Sequence, residues 1–226
     1  MVEIIPAILV KDAADFAAKI AAVAPHVKRI QIDIMDGKFV PNETLAVEEF
    51  PPIPGKLLVE YHLMVENPLE YVRKIGKQGA IYEMHIESLS DVDGAIFEVK
   101  RMGGRVALAI SPDTPVEKLE PYLQKIEHVL VMTVYPGFSG QSYLPKMEEK
   151  MRWLKERGVV VEVDGGVGMG SAKSAAAAGA TLLDVASAIF SKPAHFEQGS
   201  KGPLFAEGKK WDARRAIEEL KNDAEA

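Results

Sequence analysis

The chain has no cysteine. Disulfide bridges and thiolate metal sites are therefore excluded, and the absence fits a reducing compartment. An excess of positive charge is also missing. Lys and Arg number 27 against 33 Asp and Glu, for a formal net charge of -6. Nucleic acids and anionic membranes both call for clustered cations, so neither is an expected partner. No apolar window is long enough to span a bilayer, and the Ala-rich stretch around Ala175 is broken by Gly179 and Asp184. The apolar run Ile4–Val10 lacks a basic leader and ends at Lys11 and Asp12, so no targeting segment is expected. Low-complexity linkers and shifts in composition are absent too. The expectation is one domain over residues 1–226, in the cytoplasm, interrupted only by an irregular Gly-, Pro- and Lys-rich segment at 192–210 before a last amphipathic helix.

What remains is a chain of 226 residues, 47% hydrophobic and 27% charged, ample for a sizeable core. Eight β-branched runs are expected as strands: Glu3–Leu9, Arg29–Ile34, Leu58–Met64, Ile81–Glu87, Arg105–Ile110, Val129–Val134, Val159–Asp164 and Thr181–Val185. They begin roughly 22 to 30 residues apart, the length of one βα unit. Helical spacing lies between them, as in Phe16, Ile20 and Val23, or Met147, Met151 and Leu154. Ser90 is the expected N-cap of a helix carrying Val92, Ile96 and Val99, and Ser171 that of the Ala-rich helix stopped by Gly179. Eight alternating units predict an α/β fold, a closed (β/α)8 barrel of parallel strands.

Active sites of such barrels lie at the C-terminal ends of the strands. Those ends carry Asp33, His62, His85, Ser111, Thr133 and Asp164. Residues two apart on a strand share a face, so Gln31 accompanies Asp33 into the mouth while Ile30, Ile32 and Ile34 face the helices. A carboxylate in an apolar strand is costly unless it is paired or holds a metal, and an isolated Asp more often caps a loop. Two Asp and a His converging on one rim favour function. With Asp33 on the second strand and Asp164 on the seventh, the carboxylates are expected well apart across the mouth, one on each side of a flat ligand. One could remove a proton beside a carbonyl and the other return it to the opposite face. A divalent cation on Asp33, His62 and Asp164 would stabilise the enediolate oxygens. Gly137-Phe138-Ser139-Gly140, Gly165-Gly166 and Ser187, which opens a short helix to Phe190, are expected to cradle a phosphate with backbone N–H groups. Met35, Met64 and Met132 are expected as ordinary core filling or as an apolar lining of the site.

These residues resemble the ribulose-phosphate 3-epimerase family. The likeness runs through Ile5-Pro6-Ala7-Ile8-Leu9, Ile32-Asp33-Ile34-Met35-Asp36-Gly37-Lys38-Phe39-Val40-Pro41-Asn42, His62-Leu63-Met64-Val65 and His85-Ile86-Glu87. It continues through Val134-Tyr135-Pro136-Gly137-Phe138-Ser139-Gly140-Gln141-Ser142, Val163-Asp164-Gly165-Gly166 and Ser187-Ala188-Ile189-Phe190. The resemblance implies an isomerase that epimerises D-ribulose 5-phosphate and D-xylulose 5-phosphate at C3, with Asp33 and Asp164 as acid/base residues. It implies a divalent zinc, iron, manganese or cobalt ion on Asp33, His62 and Asp164, and a homo-oligomer. It implies phosphate binding at Gly140, Gly166 and Ser187, and a substrate lining that includes Ala7 and His85.

The chain departs from that pattern at four places. Gln31 stands where the family has a His ligand, and an amide oxygen is a weaker ligand for zinc-like ions. Ala7 replaces Ser. Tyr135 replaces Asn, bringing a phenol to the phosphate loop. Ala186 replaces Gly before Ser187 and keeps its backbone N–H. The alternatives are an epimerase of a related ketose phosphate with altered or no metal dependence, and a phosphosugar-binding protein without catalysis. A decarboxylase on this barrel would carry a Lys between paired Asp residues, and Asp33-Ile34-Met35-Asp36 has none.

Overall fold

The computed structural model describes residues 1–190 and 212–226; the 192–210 segment and Trp211 fall outside the described residues. Eight parallel strands close into a barrel in chain order: β1 (Glu3–Ile8), β2 (Arg29–Met35), β3 (Leu58–Met64), β4 (Ile81–His85), β5 (Arg105–Ile110), β6 (Val129–Met132), β7 (Val161–Asp164) and β8 (Leu182–Val185). The expected (β/α)8 barrel is what the chain forms. β3 and β5 match their expected runs in full, and the other six strands differ from theirs by one or two residues. The run expected to Glu87 is cut at His85, because Ile86–Ser88 tightens into a 3₁₀ turn.

Helices α1 (Ala13–Val23), α2 (Pro68–Ile75), α3 (Val92–Arg101), α4 (Glu148–Glu156), α5 (Ser171–Ala178), α6 (Ser187–Phe190) and α7 (Ala213–Glu225) cover the outside. Two crossovers carry only 3₁₀ structure, Val47–Glu49 after β2 and Val116–Lys125 after β5. Proline explains both: Pro51, Pro52 and Pro54 crowd the first crossover and Pro121 lies inside the second, where a missing N–H breaks an α-helical ladder. The cap of α3 is Asp91 rather than Ser90, its carboxylate accepting from Gly94 N at 2.9 Å. Ser171 is the first residue of α5 rather than its cap. Its hydroxyl accepts from Gly168 N at 2.9 Å and so ties the preceding loop, while Gly179 ends the helix as expected.

The large apolar core is the annulus between sheet and helices. Ile30, Ile32, Ile34, Leu63, Val131 and Val163 all belong to it, with Phe16, Val72, Met151 and Ala175 from the helices. The barrel interior is different. Such interiors are ordinarily filled by Val, Ile and Leu. Here the buried set includes Gln31, Asp33, Glu60, His62, Glu83, His85, His128, Glu162 and Asp184. Strand alternation sends the apolar residues out and these polar ones in.

Candidate active site

A cleft opens where the strands end. Asp33 and Asp164 line it, with Met35, Met64 and Met132 as apolar wall, and Gly137, Phe138, Ser139, Gly140, Gly165, Gly166, Ala186 and Ser187 along one side. Ala7 and His85, expected in the lining, are instead buried behind it, at 1% and 0% exposure. Both point inward from their strands at a level where neighbouring side chains cover them.

At the centre stands His62. Its Nδ1 lies 3.0 Å from Asp33 Oδ1 and 3.3 Å from Asp164 Oδ2. The Gln31 amide donates to the same two oxygens, at 3.0 and 3.2 Å. The two carboxyls therefore do not stand well apart: their near oxygens and His62 Nδ1 all lie within 4.8 Å of one another. Strands β2 and β7 are three steps apart around the ring, but side chains pointing into a narrow barrel converge on its axis. Separation between strands is lost at the side-chain tips, while the two groups still arrive from different sides.

On its other edge His62 Nε2 meets His85 Nε2 at 3.0 Å, and His85 Nδ1 lies 3.2 Å from Glu87 Oε2. Glu87 also accepts from Ser111 N at 2.9 Å. This chain holds both rings in place. Burial pushes His85 down, towards the neutral form that can accept from His62. Burial alone would lower His62 too, but hydrogen bonds to Asp164 and Asp33 raise it to about 10. Burial, and then the neighbouring Asp164, push Asp33 up despite its His62 bond. Without a metal, a cationic imidazole occupies the position between two carboxylates.

The groups fit a divalent ion. Asp33, His62 and Asp164 each aim one donor at a shared centre, His62 is anchored from behind as metal-bound imidazoles are, and the buried Gln31 Oε1 has no hydrogen-bond partner. Turning the Gln31 amide over would bring that oxygen to the centre.

The glycine loops are fixed by geometry. Gly166 has φ 65°, and a Cβ there would lie 2.5 Å from Tyr143 N. Gly165 has φ 116°, and a Cβ there would run into Val134 Cγ2. Only glycine lets this loop pass so close to its neighbours. Thr133 secures the loop, its N–H reaching Asp164 O at 2.7 Å and its hydroxyl donating to Asp164 O and Gly165 O. The Tyr135 phenol turns to Asp113 Oδ1 at 2.9 Å and lies outside the cleft lining.

Five lining residues escaped sequence reasoning, Val134 and Val167 among them. Leu9 and Pro136 complete the apolar wall. Asp184, two residues before Ala186 on β8, lies on the cleft floor with 1% exposure. The inward-facing position that singled out Asp33 would have found it.

A closed parallel (β/α)8 barrel with two acids converging at its mouth beside glycine loops defines the class of chain, to which sequence relatives add a family. The ribulose-phosphate 3 epimerase family matches residues 3–190, and the chain belongs to it. The chain is 38% identical over 198 residues to the ribulose-phosphate 3-epimerase, cytoplasmic isoform, of Oryza sativa subsp. japonica, covering 83% of this chain and 87% of that one. It is 37% identical over 202 residues to ribulose-phosphate 3-epimerase of Bacillus subtilis, covering 84% and 93%. Among solved structures, 3-hexulose-6-phosphate synthase from Salmonella typhimurium shares the fold at TM-score 0.65 and 13% identity over 98% of each chain. Orotidine 5'-phosphate decarboxylase from Pyrococcus horikoshii OT3 does so at 0.60 and 17% over 99% of each. Among the described residues, no helix is long and apolar enough to cross a membrane.

Proposed function

We propose that the chain interconverts D-ribulose 5-phosphate and D-xylulose 5-phosphate by inverting C3. The observation that carries this reading is the convergence of Asp33 and Asp164, from strands on different sides of the cleft, beside the Gly165-Gly166 loop. The phosphate is held by backbone N–H groups of the Gly137–Gly140 and Gly165–Gly166 loops and of Ala186 and Ser187, which lets the sugar lie between the acids. One carboxylate takes the C3 proton, and the electron pair moves into an enediolate. The other, entering the cycle as a carboxylic acid, gives a proton to the opposite face. The return reaction exchanges the roles. Met35, Met64 and Met132 keep water from the enediolate.

Asp33, His62 and Asp164 would hold a divalent ion of the zinc, iron, manganese or cobalt group, with Gln31 as an added oxygen donor. When bound, the ion supplies Lewis-acid stabilisation of charge on substrate oxygens. His85 and Glu87 keep the His62 ring in register whichever cation is present.

The test is incubation with D-ribulose 5-phosphate in heavy water, with and without added divalent metal. Deuterium at C3 together with D-xylulose 5-phosphate is the expected result. Metal-loaded protein giving neither would overturn the reading, and thermal stabilisation by the sugar without turnover would leave a binding protein. Gln31 favours one variation: its amide already satisfies both carboxylates without an ion. Activity that survives chelation would make the metal dispensable.

A further inference from the structure

We propose that the barrel holds a second divalent transition-metal ion, one layer below the mouth, on Glu60, Glu83, His128 and Glu162. These groups come from β3, β4, the residue preceding β6, and β7. Glu60, Glu83 and Glu162 are fully buried and His128 is 2% exposed. One donor atom from each lies within 4.8 Å of all the others. Zinc-like ions bind oxygen and nitrogen at about 2.0–2.2 Å, so opposite ligands stand ~4.2 Å apart and small side-chain shifts close the set on an ion.

The hydrogen bonds within the set fall short of what it needs. Arg29 Nη1 reaches Glu60 Oε1 at 2.8 Å, leaving Glu60 Oε2 without a partner. His128 Nε2 is 2.8 Å from Glu83 Oε1 and 2.6 Å from Glu162 Oε2. One ring nitrogen faces two carboxylates, and only the Glu83 contact lines up as a hydrogen bond. Glu83 Oε2 has no hydrogen-bond partner. Buried carboxylate oxygens are costly unless they are paired or coordinate a metal. An independent group points to the same place. Asp184 is 1% exposed, and its carboxyl, raised by burial and by Glu162, hydrogen-bonds to Glu162 and so joins a further acid to the set. It also lines the cleft floor, and so gives an ion a carboxylate to pass on its way down from the mouth.

Charge and ligand chemistry select the ion. Three carboxylates are balanced by Arg29 and one divalent cation, leaving His128 neutral to ligate through nitrogen. Three oxygens and one imidazole suit manganese, iron or zinc better than calcium or magnesium, which take all-oxygen shells. Glu60 and Glu162 precede His62 and Asp164 by two residues, so the two ions would sit about 6–7 Å apart.

The proposal does not depend on the epimerase reading, because the two ligand sets share no residue. The full chain, stripped with chelator, is reloaded with Mn²⁺ or Zn²⁺, freed of excess and assayed for metal per chain. Two ions are expected in the natural chain, one in Glu83→Gln/His128→Gln, and one in Asp33→Asn/Asp164→Asn. A natural chain with no ion, or a content left unchanged in Glu83→Gln/His128→Gln, overturns the proposal, whereas a single ion lost in that variant and kept in Asp33→Asn/Asp164→Asn supports it and leaves only the mouth without metal. Should that variant fail to fold, crystals of the natural chain grown with Mn²⁺ decide the question by anomalous scattering. A peak between Glu83 and His128 supports the second site, and a map without one there overturns it.

Discussion

The mouth of the barrel and the layer beneath it use the same kinds of residue in different ways. At the mouth, Asp33, His62 and Asp164 are linked by contacts of 3.0–3.3 Å, and Asp164 keeps 15% side-chain exposure towards the cleft. One layer down, Glu60, Glu83, His128 and Glu162 are sealed, more acidic and poorly satisfied. Glu60 and His62 share β3, and Glu162 and Asp164 share β7, so a step of two residues separates chemistry open to a sugar from chemistry closed to it. Access, more than residue type, divides the two regions: a proton can be exchanged with substrate at the mouth, whereas the lower layer can exchange only protons or ions.

The largest expected effect would break this division outright. Asp164→Asn should lower kcat about 10²–10⁴-fold, the usual worth of a positioned acid or base, and leave Tm nearly unchanged. A comparable loss in Glu83→Gln would mean that the lower layer takes part in turnover. His128→Leu should do the reverse. Removing one partner from a buried ionic cluster costs ~3–5 kcal/mol, or a fall in Tm on the order of 10 °C for a chain of this size. Differential scanning calorimetry of both variants, beside steady-state rates, tests the pair. A smaller effect separates support from chemistry within the mouth. Burial works to raise Glu87, but hydrogen bonds from His85, Thr114 and the Ser111 N–H bring it to about 2. Glu87→Gln should loosen the His85–His62 anchor and weaken metal binding at the mouth about 10–100-fold in a chelator competition, the usual cost of losing such support.

Much of the mouth is legible in the sequence, because strand alternation alone sorts β2 into outward Ile30, Ile32, Ile34 and inward Gln31, Asp33. The glycine loops are legible for a similar reason, since position after a strand carries meaning in this fold. Three features are not legible in the sequence, the first two because they are not local. The approach of Asp33 to Asp164 depends on how narrow the barrel is, which no spacing along the chain reports. Glu60, Glu83 and Glu162 read as ordinary inward polar residues, and His128 precedes its strand; only barrel closure brings the four together. The cap at Asp91 rather than Ser90 turns on a single hydrogen bond between two residues that both cap well.

The smallest expected effect sharpens the comparison through pH. In the metal-free chain, burial, then Glu162 and Glu83, push Glu60 up to about 10, and burial with Glu162 pushes Glu83 to about 7. Burial would lower His128, but Glu162 and Glu83 outweigh it and raise it to about 10. All three groups hold protons in the folded chain at pH values where the unfolded chain has released them. Stability therefore falls with rising pH, from about 4.5 to 7 through Glu83, on to about 10 through Glu60, and from about 6.5 to 10 through His128. The Tm of chelated protein should drop between pH 5 and pH 9, and saturating Mn²⁺ should reduce the drop, because a bound ion replaces the protons. A Tm that is flat or rising over that range would mean that water or another cation already satisfies the lower layer. The two regions would then differ in exposure alone.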